Sequence, residues 1–158
     1  MTRTRFSSIL LCAALSVGLA LLSLNCMSSG TMNGRFALNI SDQTVWGPTG
    51  YDRAEYYYIP DIDVYYAVQE RQYIYLDAGT WRYAASLPPS YGTYDPYHSY
   101  KVVINGDKPF AENEHHRAQY KSFRGVKDQP VIRDSRDRKY FINKDHPDHD
   151  KWVREQGH

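Results

Sequence analysis

Thirteen of the 15 tyrosines fall between Tyr51 and Tyr100, and around them the apolar residues repeat every second position. A period of two is the spacing of an extended strand, so it excludes a helical bundle for this stretch. Ile62, Val64, Tyr66 and Val68 point to one side of such a chain, with Asp61, Asp63, Tyr65 and Ala67 on the other. Ile74 and Leu76 alternate with Tyr73 and Tyr75, and Trp81, Tyr83 and Ala85 with Arg82 and Ala84. Between these runs stand Gln69-Glu70-Arg71 and Asp77-Ala78-Gly79, which are turn residues. Connections this short join neighbouring strands as antiparallel hairpins. The pattern predicts strands near 55–59, 63–68, 72–77, 80–85 and 101–104. The expected fold class is mainly β with minor α, a small antiparallel β-meander sheet plus one or two short helices.

Proline and glycine place the punctuation. Pro88-Pro89 ends the fourth strand, because proline cannot donate to a ladder. Asp95 followed by Pro96 is a cap with proline at the first helical position, so a short helical turn is expected before Tyr100. Asn105-Gly106 closes the last strand, and residues 111–123 suit a helix packed on the sheet.

Two readings of the tyrosines follow. Each ring buries roughly 150–250 Å² while its hydroxyl keeps a polar tip, so tyrosines build a core in a domain too short to build one from aliphatics. Alternatively, Tyr56, Tyr58, Tyr73 and Tyr75 lie opposite the aliphatic sets and form an aromatic binding face. Such a face stacks on sugar rings or docks another protein.

The two ends have other compositions. Arg3 and Arg5 precede an apolar stretch from Ile9 to Leu24, and Cys26 follows at once. Sixteen residues fall short of the roughly 20 that cross a bilayer, so residues 1–25 read as an export signal. Cys12 lies inside that signal, which leaves Cys26 as the one cysteine of the mature chain, without a disulfide partner. Its place directly after the apolar run is that of an acylated lipoprotein cysteine, and several acyl chains would anchor it permanently. Leu22-Ser23-Leu24-Asn25 departs from the commonest lipobox at Ser23 and Asn25. The expected location is the cell envelope, at the outer membrane or the periplasmic face, with a soluble secreted or periplasmic protein as the alternative. Residues 26–44 read as a polar tether, 45–123 as the tyrosine-rich module, and 124–158 as a charged, loosely ordered tail. In that tail 16 of 35 residues are Asp, Glu, Lys or Arg, which leaves little apolar area to offset ordering entropy.

The chemistry the sequence offers is sparse. Without residues 1–25 the chain carries 17 basic and 18 acidic residues, so there is no general pull toward nucleic acid. Asp61 and Asp63 share a face of an extended chain and are candidates for a metal or for acid–base work, but two carboxylates on one strand seldom converge as catalysis requires. His146, His149 and Asp150, in the run His-Pro-Asp-His-Asp, could ligate a metal if a helix begins at Pro147, although no neighbouring pattern supplies a third ligand. His115 and His116 are adjacent and face different ways on a helix. No nucleophile elbow, Ser-x-x-Lys pair, phosphate loop or dinucleotide fingerprint occurs, and no cofactor is expected.

The segments Trp46-Gly47-Pro48, Gly50-Tyr51-Asp52, Tyr56-Tyr57-Tyr58-Ile59-Pro60-Asp61-Ile62-Asp63-Val64-Tyr65-Tyr66, Gln72-Tyr73-Ile74-Tyr75, Gly79-Thr80-Trp81, Ser86-Leu87-Pro88, Tyr94-Asp95 and Tyr100-Lys101-Val102-Val103-Ile104 resemble a family of uncharacterised bacterial envelope lipoproteins, mostly from Bacteroidota. The likeness spans about Trp46 to Tyr120 and implies no activity, substrate or cofactor. The sequence therefore suggests a non-enzymatic, lipid-anchored envelope protein that makes protein or glycan contacts through its β module. Two other readings stand beside it: a metal-dependent hydrolase using Asp61, Asp63 and a tail histidine, and a spacer or assembly lipoprotein without a ligand.

Overall fold

The computed structural model describes residues 38–157, so the export signal and Cys26 lie outside the described residues. Five strands form one antiparallel sheet: β1 Tyr56–Ile59, β2 Val64–Ala67, β3 Gln72–Asp77, β4 Thr80–Ala84 and β5 Val102–Ile104. The architecture is mainly β with minor α. Two short helices complete it, α1 Asn113–Gln119 and α2 His149–Gln156, together with several single turns of 3-10 helix.

The first four strands follow one another as hairpins, and β5 returns to pair with β1, giving the order β4-β3-β2-β1-β5. The return has a physical cause. Pro88-Pro89 forbids a further hairpin, and the chain turns twice in 3-10 geometry, at Pro89–Tyr91 and Pro96–His98, before it extends again. The second turn is capped as its sequence requires, with Asp95 Oδ1 accepting from Tyr97 N at 2.9 Å. β4 is thereby left as a free edge.

The register sorts the aromatics. Tyr58↔Tyr65↔Ile74↔Tyr83 and Tyr56↔Ala67 stand on one face, and Tyr57↔Tyr66↔Tyr73 on the other. Both faces are covered. On the first, Tyr58, Tyr65, Ala67 and Ile74 pack with Phe110 and Tyr120 from the α1 region. On the second, Tyr57, Tyr66 and Val68 pack with Trp46, whose ring meets Tyr66 edge-on at 4.7 Å. Gly47 beside it is obligatory, because a Cβ there would stand 2.9 Å from Thr44 O and 2.8 Å from Cζ of Tyr57.

Both expected boundaries shift. The segment read as tether is part of the fold from Asn39 onward, where its buried amide bonds both backbone groups of Ala54, at 2.9 Å from N and 2.7 Å to O. The segment read as a loose tail is packed. Val131, Ile132 and Tyr140 are buried, and Pro48 bridges to Val131. Ile132 N donates to Gly47 O at 2.9 Å, Arg133 N to Val45 O at 2.8 Å, and Gly50 N to the Tyr140 hydroxyl at 2.6 Å. Charge density understated the tail's order because polar groups, rather than apolar area, tie it down. The Asn143 amide donates to Gln43 O, and His146 is 4% exposed.

Candidate functional site

The four tyrosines singled out as a face do not share one. Tyr56 and Tyr58 stand on one side of the sheet, Tyr73 and Tyr75 on the other, because the strands carrying them are joined through β2 in a register that puts Tyr58 level with Ile74. Tyr58 is fully buried in the core. Tyr73 is half-buried, edge-on to Tyr66 at 4.9 Å, and burial raises its hydroxyl to about 12. Tyr75 packs edge-on against Tyr91 at 5.7 Å. Tyr56 lines a cleft of about 180 Å³ with Glu55, Glu70 and Asp107, and its pKa is raised first by burial and then by those carboxylates.

Asp61 and Asp63 are likewise separated. Neither is on a strand: residues 60–63 form the β1–β2 turn, and Asp63 takes a left-handed conformation with φ of 55°. Asp61 accepts from Gly125 N at 2.6 Å and pairs with Lys127 at 3.0 Å. Asp63 accepts instead from the Tyr58 hydroxyl at 2.9 Å and from Asn113 at 2.8 Å, and pairs with Arg117 at 3.3 Å. The two carboxylates tie different segments to the sheet. The Asp63 network continues inward, where Asn113 donates to the Tyr65 hydroxyl at 3.4 Å and that hydroxyl bonds His116 Nδ1 at 2.8 Å. The hydroxyl thus accepts from Asn113 and shares a second hydrogen bond with the imidazole, so one tyrosine joins both α1 side chains. Burial lowers the His116 pKa and raises that of Tyr65 to about 12, so the pair stays neutral. Both side chains are buried, and the network locks α1 onto the sheet.

The tail histidines are committed to the backbone. His146 Nδ1 accepts from Asp148 N at 3.0 Å and Nε2 lies 3.1 Å from Ser135 O, so both nitrogens are occupied. His149 Nδ1 lies 2.7 Å from Phe141 O, and Asp150 is exposed on α2. Among the described residues no group of three or more His, Cys, Asp or Glu side chains is placed to hold a metal ion.

What the sheet does present is its β4 edge. Ala78 and Gly79 both have positive φ, 46° and 77°, and join Asp77 to Thr80 as a two-residue turn. The turn bond joins Asp77 to Thr80, so bonded pairs recur at Tyr75↔Arg82 and Tyr73↔Ala84. The backbone N–H and C=O of Trp81 and Tyr83 therefore face away from β3. Their side chains line the sheet face above that edge. Tyr83 is 54% and the neighbouring Leu76 47% exposed. Phe110 supports the ledge from above, 5.4 Å from the Trp81 ring and 6.0 Å from Tyr83. Among the described residues no other backbone group bonds this edge. The alternation of Trp81 and Tyr83 was legible in the sequence, but the free edge beside them was not, because it depends on β5 pairing with β1.

No protein-family model matches the chain, and comparison with curated proteins and with solved structures gives no match. Among the described residues, no helix is long and apolar enough to cross a membrane.

Proposed function

We propose that the chain is a non-enzymatic envelope protein, lipid-anchored through Cys26, that makes protein or glycan contacts from the β4 edge. The observation that carries the contact reading is the aromatic ledge of Trp81, Tyr83 and Leu76 beside unpaired backbone groups. A sugar ring could stack on the ledge, but only an extended peptide uses the ledge and the backbone edge together, so a partner protein is the favoured occupant. Anchoring rests on the apolar run that ends at Cys26 and on the resemblance carried by the tyrosine segments.

Two measurements test this. Labelling cells with a palmitate analogue should mark the chain, and Cys26→Ala should abolish the label; an unlabelled chain overturns the anchor. A photo-crosslinking residue at position 83 should give a discrete protein adduct that Trp81→Ala removes. Absence of an adduct, or one indifferent to Trp81, overturns the edge contact.

A further inference from the structure

The C-terminal segment encloses a cleft that the sheet does not need. It lies between the 3-10 turn Arg138–Ile142 and α2, holds about 450 Å³, and is floored by Phe141 and Trp152. That volume is within the roughly 300–1,000 Å³ typical of ligand pockets. No residue of α2 is buried. A short helix gains most of its stability from packing an apolar face, and this one packs little. Polar ties hold it instead: His149 to Phe141 O at 2.7 Å, and Arg138 to Glu155 at 3.2 Å.

The lining chemistry is specific. Arg138 and Glu155 neutralise each other across the cleft. Arg136 and Lys151 have no ion-pair partner among the described residues, nor does the Asp148 carboxylate. The remaining charge is two cations against one anion, beside two aromatic rings. A sugar ring offers an apolar C–H face to Trp152 and Phe141, and hydroxyls that both donate to Asp148 and accept from the cations. One carboxylate on that ring balances the surplus positive charge. A bare anion would leave the rings unused, and a neutral sugar would leave one cation unmatched.

We infer that this cleft binds an acidic saccharide, a hexuronic-acid ring stacked on Trp152 with its carboxylate held by Arg136 and Lys151. The site is separate from the β4 edge, and its loss leaves the edge proposal standing. The test is calorimetric titration of the full chain with trigalacturonate, neutral galactotriose and inorganic phosphate, alongside NMR of the Trp152 indole. Saturable uronate binding that shifts the Trp152 signal is expected, with the neutral trisaccharide at least about tenfold weaker because the charge pairing is lost. Trp152→Ala should weaken uronate binding by about tenfold or more through loss of stacking. Lys151→Glu, at an exposed position, should weaken the uronate and spare the neutral sugar, and it keeps the test valid if Trp152→Ala loosens α2. No saturable uronate binding, equal binding of the neutral sugar, displacement of the uronate by equimolar phosphate, or indifference to Lys151→Glu would each overturn the site.

Discussion

The sheet and the segment that follows residue 125 are held by different physics. In the sheet, tyrosines pack on tyrosines across strands: Tyr58 lies 5.0 Å from Tyr65, and Tyr57 stacks with Tyr66 at 6.2 Å. Each pair adds aromatic packing to a backbone ladder, so loss of one ring is felt across the fold. In the C-terminal segment few apolar groups are buried, and the joints are single polar side chains reaching backbone groups. Asn143 reaches Gln43 O, Tyr140 receives Gly50 N at 2.6 Å, and His146 spans Ser135 and Asp148. The contrast shows that a highly charged stretch can be ordered without a core of its own when a few buried polar groups find backbone partners.

This difference can be broken by substitution. Tyr58→Ala should destabilise the whole described fold by about 3–5 kcal/mol, the typical cost of removing a buried ring. Urea unfolding should show one cooperative shift, and an effect confined to β1 would undo the account of the sheet as a single unit. Tyr58→Phe isolates the Asp63 hydrogen bond and should cost about 1–3 kcal/mol.

Lys101 is the sheet's own exception, a fully buried cation at the entry to β5 whose Nζ donates to Pro96 O at 2.6 Å. Burial lowers its pKa to about 8 from the usual 10.5. Between those values the unfolded chain binds more protons than the folded one, so rising pH favours the fold. The penalty is fully present below pH 8 and amounts to about 3 kcal/mol. Lys101→Met should therefore match or exceed the parent at pH 7, and the parent should gain on the variant between pH 8 and 10.5. Parallel unfolding curves across that range check it, and a gap that does not change with pH refutes it. Above pH 10 both chains should lose stability, because Tyr65 and Tyr73 stay protonated to about 12 in the fold and ionise earlier when unfolded.

Asn143→Ala sharpens the contrast. It should cost about 1–3 kcal/mol by orphaning buried backbone oxygens. Hydrogen exchange should rise across 126–157 while β1–β3 amides stay protected. Equal loss of protection in both would merge the two regions. The smallest effect is expected at Arg71, whose 3.9 Å pair with Asp145 links the β2–β3 turn to the C-terminal segment through two exposed side chains. Arg71→Ala should change stability by less than about 1 kcal/mol.

Local pattern made much of the fold legible. The five strands lie within a residue of their expected places, and the turn capped by Asp95 forms where Asp95-Pro96 marks it. The helix expected over 111–123 forms as α1 flanked by 3-10 turns. The candidate site was much less legible. Tyr56 and Tyr73 look equivalent along the chain, yet the register through β2 puts them on opposite faces. Asp63 looked like half of a carboxylate pair, but a turn at 60–63 breaks the alternation that would have aligned it with Asp61.

Periodicity, turn chemistry and proline are properties of neighbours in sequence, and they were enough to set the strands, their hairpins and the antiparallel class. The free edge, the covering of both faces and the anchoring of the C-terminal segment belong to contacts between distant residues. β4 is open because β5 crosses to β1, and the Trp152 cleft takes its shape from His149 reaching Phe141 O and Arg138 pairing with Glu155. Pairings of that kind depend on which of many similar tyrosine-rich surfaces meet, and no local pattern encodes that choice.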